Sequence, residues 1–546
     1  MDKLSGLDAT FLYLETPETP MHVGSFCLYE LPPNFKGSFH KALKAHLKRR
    51  LHLVPIFTRK LKNMPLELGH PVWIPADHVD LDFHIQKIKA ATLTVLEAEA
   101  MCAHLHGQLM DRSRPLWEFH VFEHLVRPDG SPCAGVYSKV HHAALDGKGG
   151  TVLTQAIMDV TEQPRKIQPT HHRRVSADTE DPGTSTMIGE VLSNSLAQYK
   201  ALFKALPQAA RAFGRTVVKQ SLGGTGAKAQ PQSPIHLAPM TQFNVAVTPE
   251  RTFGTARIPF AECRAMAKAV GASFNDIVLW ICATALRDYL GKQGQLPKKS
   301  LLAAMPISLR EEGNQDLNTQ ASMTVVELGT QYAHPVKRLQ AILRSTAKVK
   351  VAMADLKGLI PTNYPSLLAP WVVGGVAKAA FKTYQATGLS HRLPMLSNLV
   401  ISNVPGPQVP LYLAGAKLLT YHPMSIVVHG TALNITIQTY AGWVDFGVIA
   451  DKSAVPDVQA LTQALVQAFE EGRRLLLAPP EPSQTAPRKA TVKKTGSDLV
   501  KRLNKSSAAT KTKRPAIQTK DSATPTPSLS ATVKKLANTI KRASLT

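Results

Sequence analysis

The residues best suited to chemistry in this chain are His141 and His142, with Asp146 four positions beyond the second. Residues 136–140 read as a short strand, and the two histidines fall where it runs out. Gly147, Gly149 and Gly150 then let the backbone turn before a helix resumes at Thr151. Imidazole titrates near neutrality, so a histidine at a strand end can take a hydroxyl proton and later return it. His142 is the expected base. The pair also reads as partly exposed polar residues without a chemical role. A metal site is a third reading, because His and Asp four apart share one face of a helix. The glycines argue against a helix there, and no third-ligand motif such as HExxH accompanies the pair. No metal is expected.

The elements that must position these residues follow in order. Residues 4–15 open as a helix, and 21–30 form a strand. A basic amphipathic helix is expected over 39–53, a strand over 80–85 and a helix over 95–109. Pro115-Leu116-Trp117-Glu118 leads into a strand at 119–125, where a Trp at the entrance reads as a packing anchor. Further on, 252–258 is a strand and 260–270 a helix. Ser273 with Asp276 three residues later reads as a capping box opening a helix at 277–290. Strands are expected at 301–309, 322–328 and 398–404, a hairpin at 432–440 and 443–450 across Ala441-Gly442, and a closing helix at 455–477. Strands and helices mix without clean βαβ alternation, so the fold class is α/β (mixed α+β).

A chain of 546 residues is too long for one ordinary core. The expected division is an N-terminal domain at 1–165 carrying the histidines, a linker at 166–240, a C-terminal domain at 241–477 and a disordered basic tail at 478–546. The net charge of +25 calls for an anionic partner. Residues 487–546 hold 15 Lys and Arg against 2 Asp, which places about half of the excess in the tail. The linker segment 188–220 reads either as a membrane-surface helix or as a helix packed on the body. Five scattered cysteines without a CxxC pair suggest reduced thiols and a cytoplasmic protein. The most apolar run, 367–380, contains Pro370 and Lys378 and falls short of a spanning helix. The expected location is peripheral, on the inner face of a membrane or on lipid droplets.

The pattern His141-His142-x-x-x-Asp146-Gly147 resembles the catalytic motif of acyl-CoA-dependent acyltransferases, and looks most like the bacterial wax ester synthase/diacylglycerol acyltransferase family. Further stretches resemble that family in order: Asp8 with Met21-His22-Val23-Gly24, Pro115 to Glu118, Asn275-Asp276, Met305 to Arg310, and Ser402 to Pro407. The resemblance covers residues 4–477. It implies two domains like those of chloramphenicol acetyltransferase, with the active site at their interface. It also implies an enzyme that moves a long-chain acyl group from acyl-CoA to a long-chain alcohol, giving wax ester, or to diacylglycerol, giving triacylglycerol. Acyl-CoA is then a co-substrate, and no other cofactor is expected. On this resemblance His142 takes the acceptor's proton and His141 contributes less. Asn275 donates to the oxyanion, unless it serves only the helix terminus it sits on. Asp146 holds the loop, for example by pairing with Arg310. No Gly-x-Ser-x-Gly elbow is present, which counts against a serine hydrolase. An amide-forming condensation-type enzyme and a non-catalytic lipid-droplet protein are the alternative classes. The tail is either a solvated segment or one that binds anionic lipid. Specific nucleic acid is not expected, because no stacking aromatics accompany the charge.

Overall fold

The computed structural model describes residues 2–64, 70–145, 149–167, 237–308, 321–356 and 395–477, all within one compact unit, Met1–Pro482. Asp146, Arg310, the expected helix at 188–220, the apolar run at 367–380 and the tail at 478–546 lie outside these residues.

From the N-terminus come β1 (Asp2–Lys3), α1 (Gly6–Leu14), β2 (His22–Glu30), α2 (Phe39–Lys48), β3 (Arg59–Lys62) and β4 (Val72–Pro75). Then follow α3 (Leu81–His84), β5 (Ile85–Lys87), β6 (Leu93–Thr94), α4 (Val95–His106), β7 (Trp117–Val126), β8 (Pro132–His141) and α5 (Gly149–Ile157). The next part holds β9 (Arg251–Pro259), α6 (Phe260–Val270), α7 (Phe274–Lys292), β10 (Leu302–Ser308), β11 (Ala321–Glu327) and α8 (Pro335–Leu356). The last comprises β12 (Leu399–Val404), β13 (Tyr412–Leu413), β14 (Ala416–Met424), β15 (Leu433–Tyr440), β16 (Trp443–Asp451) and α9 (Val458–Leu477).

Among the described residues the strands form three sheets, two large and one small. The first large sheet runs β13-β14-β2-β8-β7-β5, with β6 also pairing with β7. Only β5 and β6 are parallel to their neighbour there. The second runs β11-β10-β12-β15-β16-β9 and is parallel at β10–β12 and β12–β15. Mixed sheets and interspersed helices agree with the expected α/β class. The helix α7 carries apolar residues on every side, which is the pattern of a helix surrounded by protein. Ile277, Trp280, Ile281 and Leu286 are all fully buried, and α6, α8 and α9 pack around them. Its capping box forms as expected, Ser273 and Asp276 each accepting the other's backbone N–H. Among the described residues no single helix is long and apolar enough to cross a membrane; the apolar pair α6 and α7 is bent by 102°.

Two local expectations give way. The helix expected over 39–53 ends at Lys48, and residues 51–57 continue as two 3-10 turns. Arg50 is turned inward, where its guanidinium donates to both oxygens of Asp159 at 3.0 and 2.9 Å, and Pro55 bars a continuous helix. The strand expected over 80–85 is the short helix α3 followed by β5. The Asp80 carboxylate accepts the N–H groups of Asp82 and Phe83, and this local cap outweighs the alternating pattern.

The chain order and the sheets part company at one place. Residues 412–424 fall within the range expected for a C-terminal domain, yet β13 and β14 complete the edge of the sheet that carries the histidines. Strand β14 pairs antiparallel with β2 from Lys417↔Glu30 to Met424↔Gly24.

Candidate active site

Strand β8 delivers the histidines. It lies between β2 and β7, and its last residue, His141, is in register with His22, the first of β2. The strands approach closely here: a Cβ on Gly24 would lie 2.2 Å from the Ser138 carbonyl oxygen, so this position has no room for a side chain. Past His141 the backbone enters a 3-10 turn, His142–Ala144, and His141 is its N-cap: its Nδ1 accepts the Ala143 N–H at 3.1 Å. The His142 N–H donates to the Met21 carbonyl at 2.9 Å, which fixes the turn to the start of β2.

The two histidines have different surroundings. His141 is fully buried, and its Nε2 faces Glu15 Oε1 across 3.2 Å. Glu15 also accepts the Met21 N–H on Oε1 at 3.0 Å and two guanidinium N–H groups of Arg112 on Oε2 at 3.0 and 2.6 Å. Burial alone would raise the Glu15 carboxyl, but His141, Met21 and Arg112 outweigh it and hold it at about 2. His142 stacks on Phe11 of α1, ring centroids 3.8 Å apart and planes 16° apart. Burial pulls its imidazole down to about 4, with a contribution from His141; its own main-chain carbonyl works in the opposite direction. An imidazole lowered this far is neutral at physiological pH. His142 Nδ1 is buried without a hydrogen-bond partner among the described residues.

Behind the pair runs a buried polar chain. Lys139 Nζ reaches Glu118 Oε2 at 3.1 Å, and His120 Nε2 lies 3.2 Å from the same oxygen. His22 Nε2 meets the His106 carbonyl at 2.8 Å, and His106 Nδ1 meets the Tyr137 hydroxyl at 2.7 Å. Glu118 thus occupies a buried ion pair, which supports the strand that carries His141. Trp117 is the packing anchor its position suggested: its indole N–H donates to the Phe57 carbonyl at 3.3 Å and its ring stacks on His84.

Asn275 belongs to a second cluster. It sits in the first turn of α7; its Nδ2 is 3.9 Å from Met305 Sδ, and its Oδ1 accepts from Asn403 Nδ2 at 3.5 Å. Three of the stretches singled out in the sequence meet here, on α7, β10 and β12. Asn403 Oδ1 is buried and lacks a partner among the described residues. Asp276 is absorbed by the helix cap and by Thr346, whose hydroxyl donates to its Oδ1 at 2.8 Å. Among the described contacts none joins Asn275 to His142. The structure brings His141 and His142 together with Glu15, Phe11 and Arg112, and leaves Asn275 with Met305 and Asn403. Asp146 lies outside the described residues. Among those residues no group of three or more His, Cys, Asp or Glu is placed to hold a metal ion.

Glu15, Phe11 and Arg112 were not among the expected site residues. Phe11 and Glu15 lie inside the opening stretch that drew attention, but their partners are some 130 residues away along the chain. A lone acidic residue after a short helix gives no local sign of such a partner.

His142 thus sits half-buried just past a strand end, in a turn fixed by Met21 and by His141, which itself faces the Glu15 carboxylate. Residues 4–278 match the wax ester synthase/diacylglycerol acyltransferase catalytic domain, and residues 318–472 match the C-terminal domain of the same proteins. The chain belongs to that family. A putative diacylglycerol O-acyltransferase of Mycobacterium tuberculosis is 32% identical over 477 residues, covering 86% of this chain and 99% of the relative. The O-acyltransferase WSD of Acinetobacter baylyi is 31% identical, covering 86% and 97%. Among solved structures, the wax ester synthase/diacylglycerol acyltransferase from Marinobacter aquaeolei VT8 superimposes with a TM-score of 0.58 at 25% identity, covering 87% of this chain and 99% of that one.

Proposed function

We propose that this acyltransferase moves a long-chain acyl group from acyl-CoA to the hydroxyl of a long-chain alcohol or a diacylglycerol, with His142 as general base. The observation that carries the mechanism is the placement of His142 directly after β8, in a turn held by Met21 and His141, where burial lowers its imidazole to about 4. With Nδ1 buried, Nε2 is the atom that acts. It takes the acceptor's hydroxyl proton as that oxygen attacks the thioester carbonyl carbon. The tetrahedral oxyanion collapses, the C–S bond breaks, and the imidazolium returns its proton to the CoA thiolate, leaving ester and free CoA. No acyl-enzyme is needed. A non-catalytic droplet protein would have no use for a base prepared in this way.

The chain's charge of +25 supports an accompanying proposal, that the protein works at an anionic membrane or droplet surface, where its apolar substrates collect. The test of the chemistry is direct. Purified protein with palmitoyl-CoA and either hexadecanol or a diacylglycerol should release thiol and form ester in equal amounts. Thiol release without ester would make it a thioesterase, and neither product would remove the reading.

A further inference from the structure

We infer that Glu15 is a positioning residue for acyl transfer, acting on His142 through His141 and through the Met21 main chain; this rests on His142 being the base.

The carboxylate divides its work. Oε2 receives Arg112, whose guanidinium also donates to the Leu12 carbonyl at 2.8 Å. That half ties the end of α1 to the segment after α4, and a structural ion pair would need nothing more. Oε1 does something else. It accepts the Met21 N–H at 3.0 Å and faces His141 Nε2 at 3.2 Å, in a position with 3% side-chain exposure.

Each contact ends on His142. The Met21 main chain has Glu15 on its N–H and His142 on its carbonyl, where the His142 N–H donates at 2.9 Å. His141 must keep Nδ1 unprotonated to accept the Ala143 N–H, which places its proton on Nε2. Glu15 Oε1 lies 3.2 Å from Nε2 but off the line of a hydrogen bond, so its negative charge, rather than an aligned acceptor, favours the proton on Nε2. With the other tautomer, two N–H groups would face each other at the start of the His142–Ala144 turn. Phe11 on the same helix then holds the His142 ring from its face. The end of α1 thus fixes the base by backbone, by cap and by ring.

The test uses the full chain with palmitoyl-CoA and detergent-dispersed hexadecanol. Glu15→Gln keeps the size and removes the charge and the tautomer selection. It should lower kcat by roughly 10²-fold, the cost of a base displaced by about 1 Å, with KM for acyl-CoA changed by less than about twofold. In a His141→Ala background the same change should cost less than about threefold, because the route through His141 is already gone. Additive losses, or a Glu15→Gln enzyme within about twofold of the parent kcat, overturn the inference. Should Glu15→Gln not fold, Arg112→Gln takes its place: Arg112 is 42% exposed, and its loss frees the carboxylate to move. A fall in kcat without a change in KM supports the inference, and an unchanged kcat overturns it. His142→Ala run alongside separates the two ideas. If it stays active, the base assignment fails; if it is inactive while Glu15→Gln is normal, only the role of Glu15 fails.

Discussion

Phe11 lies flat against His142, ring on ring at 3.8 Å, and covers one face of the imidazole. With His142 as the proposed base, this covering should help set the pH range of the enzyme. The free base is the active form, so kcat/KM should hold as pH falls and decline only as His142 takes a proton near 4. Phe11→Ala opens the ring to water and should move that acid limb upward, toward the ordinary value of about 6.5. Phe11→Leu, which keeps apolar cover, should leave it in place. Identical limbs in all three proteins would remove Phe11 from the account. The same shift acts on stability. Between about 4 and 6.5 the unfolded chain holds a proton on this residue that the folded chain refuses, so the His142 contribution rises with pH across that window.

His142→Ala should lower turnover by roughly 10²–10⁴-fold, the usual share of a general base. The melting temperature should change little, because no described side-chain hydrogen bond is lost. His141→Ala should cost less in rate and more in stability, since it removes the Ala143 cap and leaves Glu15 buried beside an empty space. A His142→Ala protein with most of its activity would end the general-base assignment.

Asn275 receives a sharper test from its neighbours. If its amide serves the oxyanion, Asn275→Ala should lower kcat by about 10²-fold, the loss typical of one such donor. If it serves only the contacts to Met305 and Asn403, the loss should appear as lower thermal stability with kcat within a few-fold. Steady-state kinetics and a melt on one preparation decide between these.

Glu99 on α4 is buried, with Oε1 receiving the Thr255 hydroxyl at 2.5 Å and Oε2 the Gln459 amide at 2.9 Å. Burial raises its carboxyl to about 7, against the two donors. The folded chain therefore holds a proton that the unfolded chain releases between about 4.5 and 7, and this contribution is lost as pH rises through 7. Glu99→Gln should raise the melting temperature at pH 8 and change it little at pH 5. An equal effect at both values would show that the group stays ionised when folded.

The tail is tested by removing it. A chain ending at Pro480 should keep near-normal turnover on detergent-dispersed substrate. It should bind anionic vesicles more weakly and with a shallower salt dependence, at up to about 1 kcal/mol lost per Lys or Arg near the surface. Equal binding at every salt concentration would assign the membrane attachment elsewhere.

Much of this was legible along the chain, because the signals are local. The strand before the histidines, the capping box of α7 and the hairpin across Ala441-Gly442 each follow from neighbouring residues; Ala441 and Gly442 take φ of 45° and 85°, as a tight hairpin turn requires. The misreadings are local contests in which another force won. At Asp80 a side-chain cap overrode alternation, and at Arg50 a buried ion pair with Asp159 ended a helix that the pattern alone would extend. What could not be read is what depends on distant partners. Glu15 meets His141, Phe11 meets His142 and β14 meets β2, and spacing along one sequence carries no record of such encounters.

The return of β14 to the first sheet also sets a clock on biosynthesis. The strands β2, β7 and β8 exist once residue 141 has left the ribosome, yet β2 keeps an open edge until residue 424 is made. At about 5–20 residues per second that wait is roughly 15–60 s, during which a nascent sheet would expose unpaired backbone beside the turn that carries His142. Slow stretches of messenger between these points, or expression of the two halves as separate chains, should raise the demand for chaperones that shield strand edges. A strand made long after them thus completes the sheet that carries the two histidines.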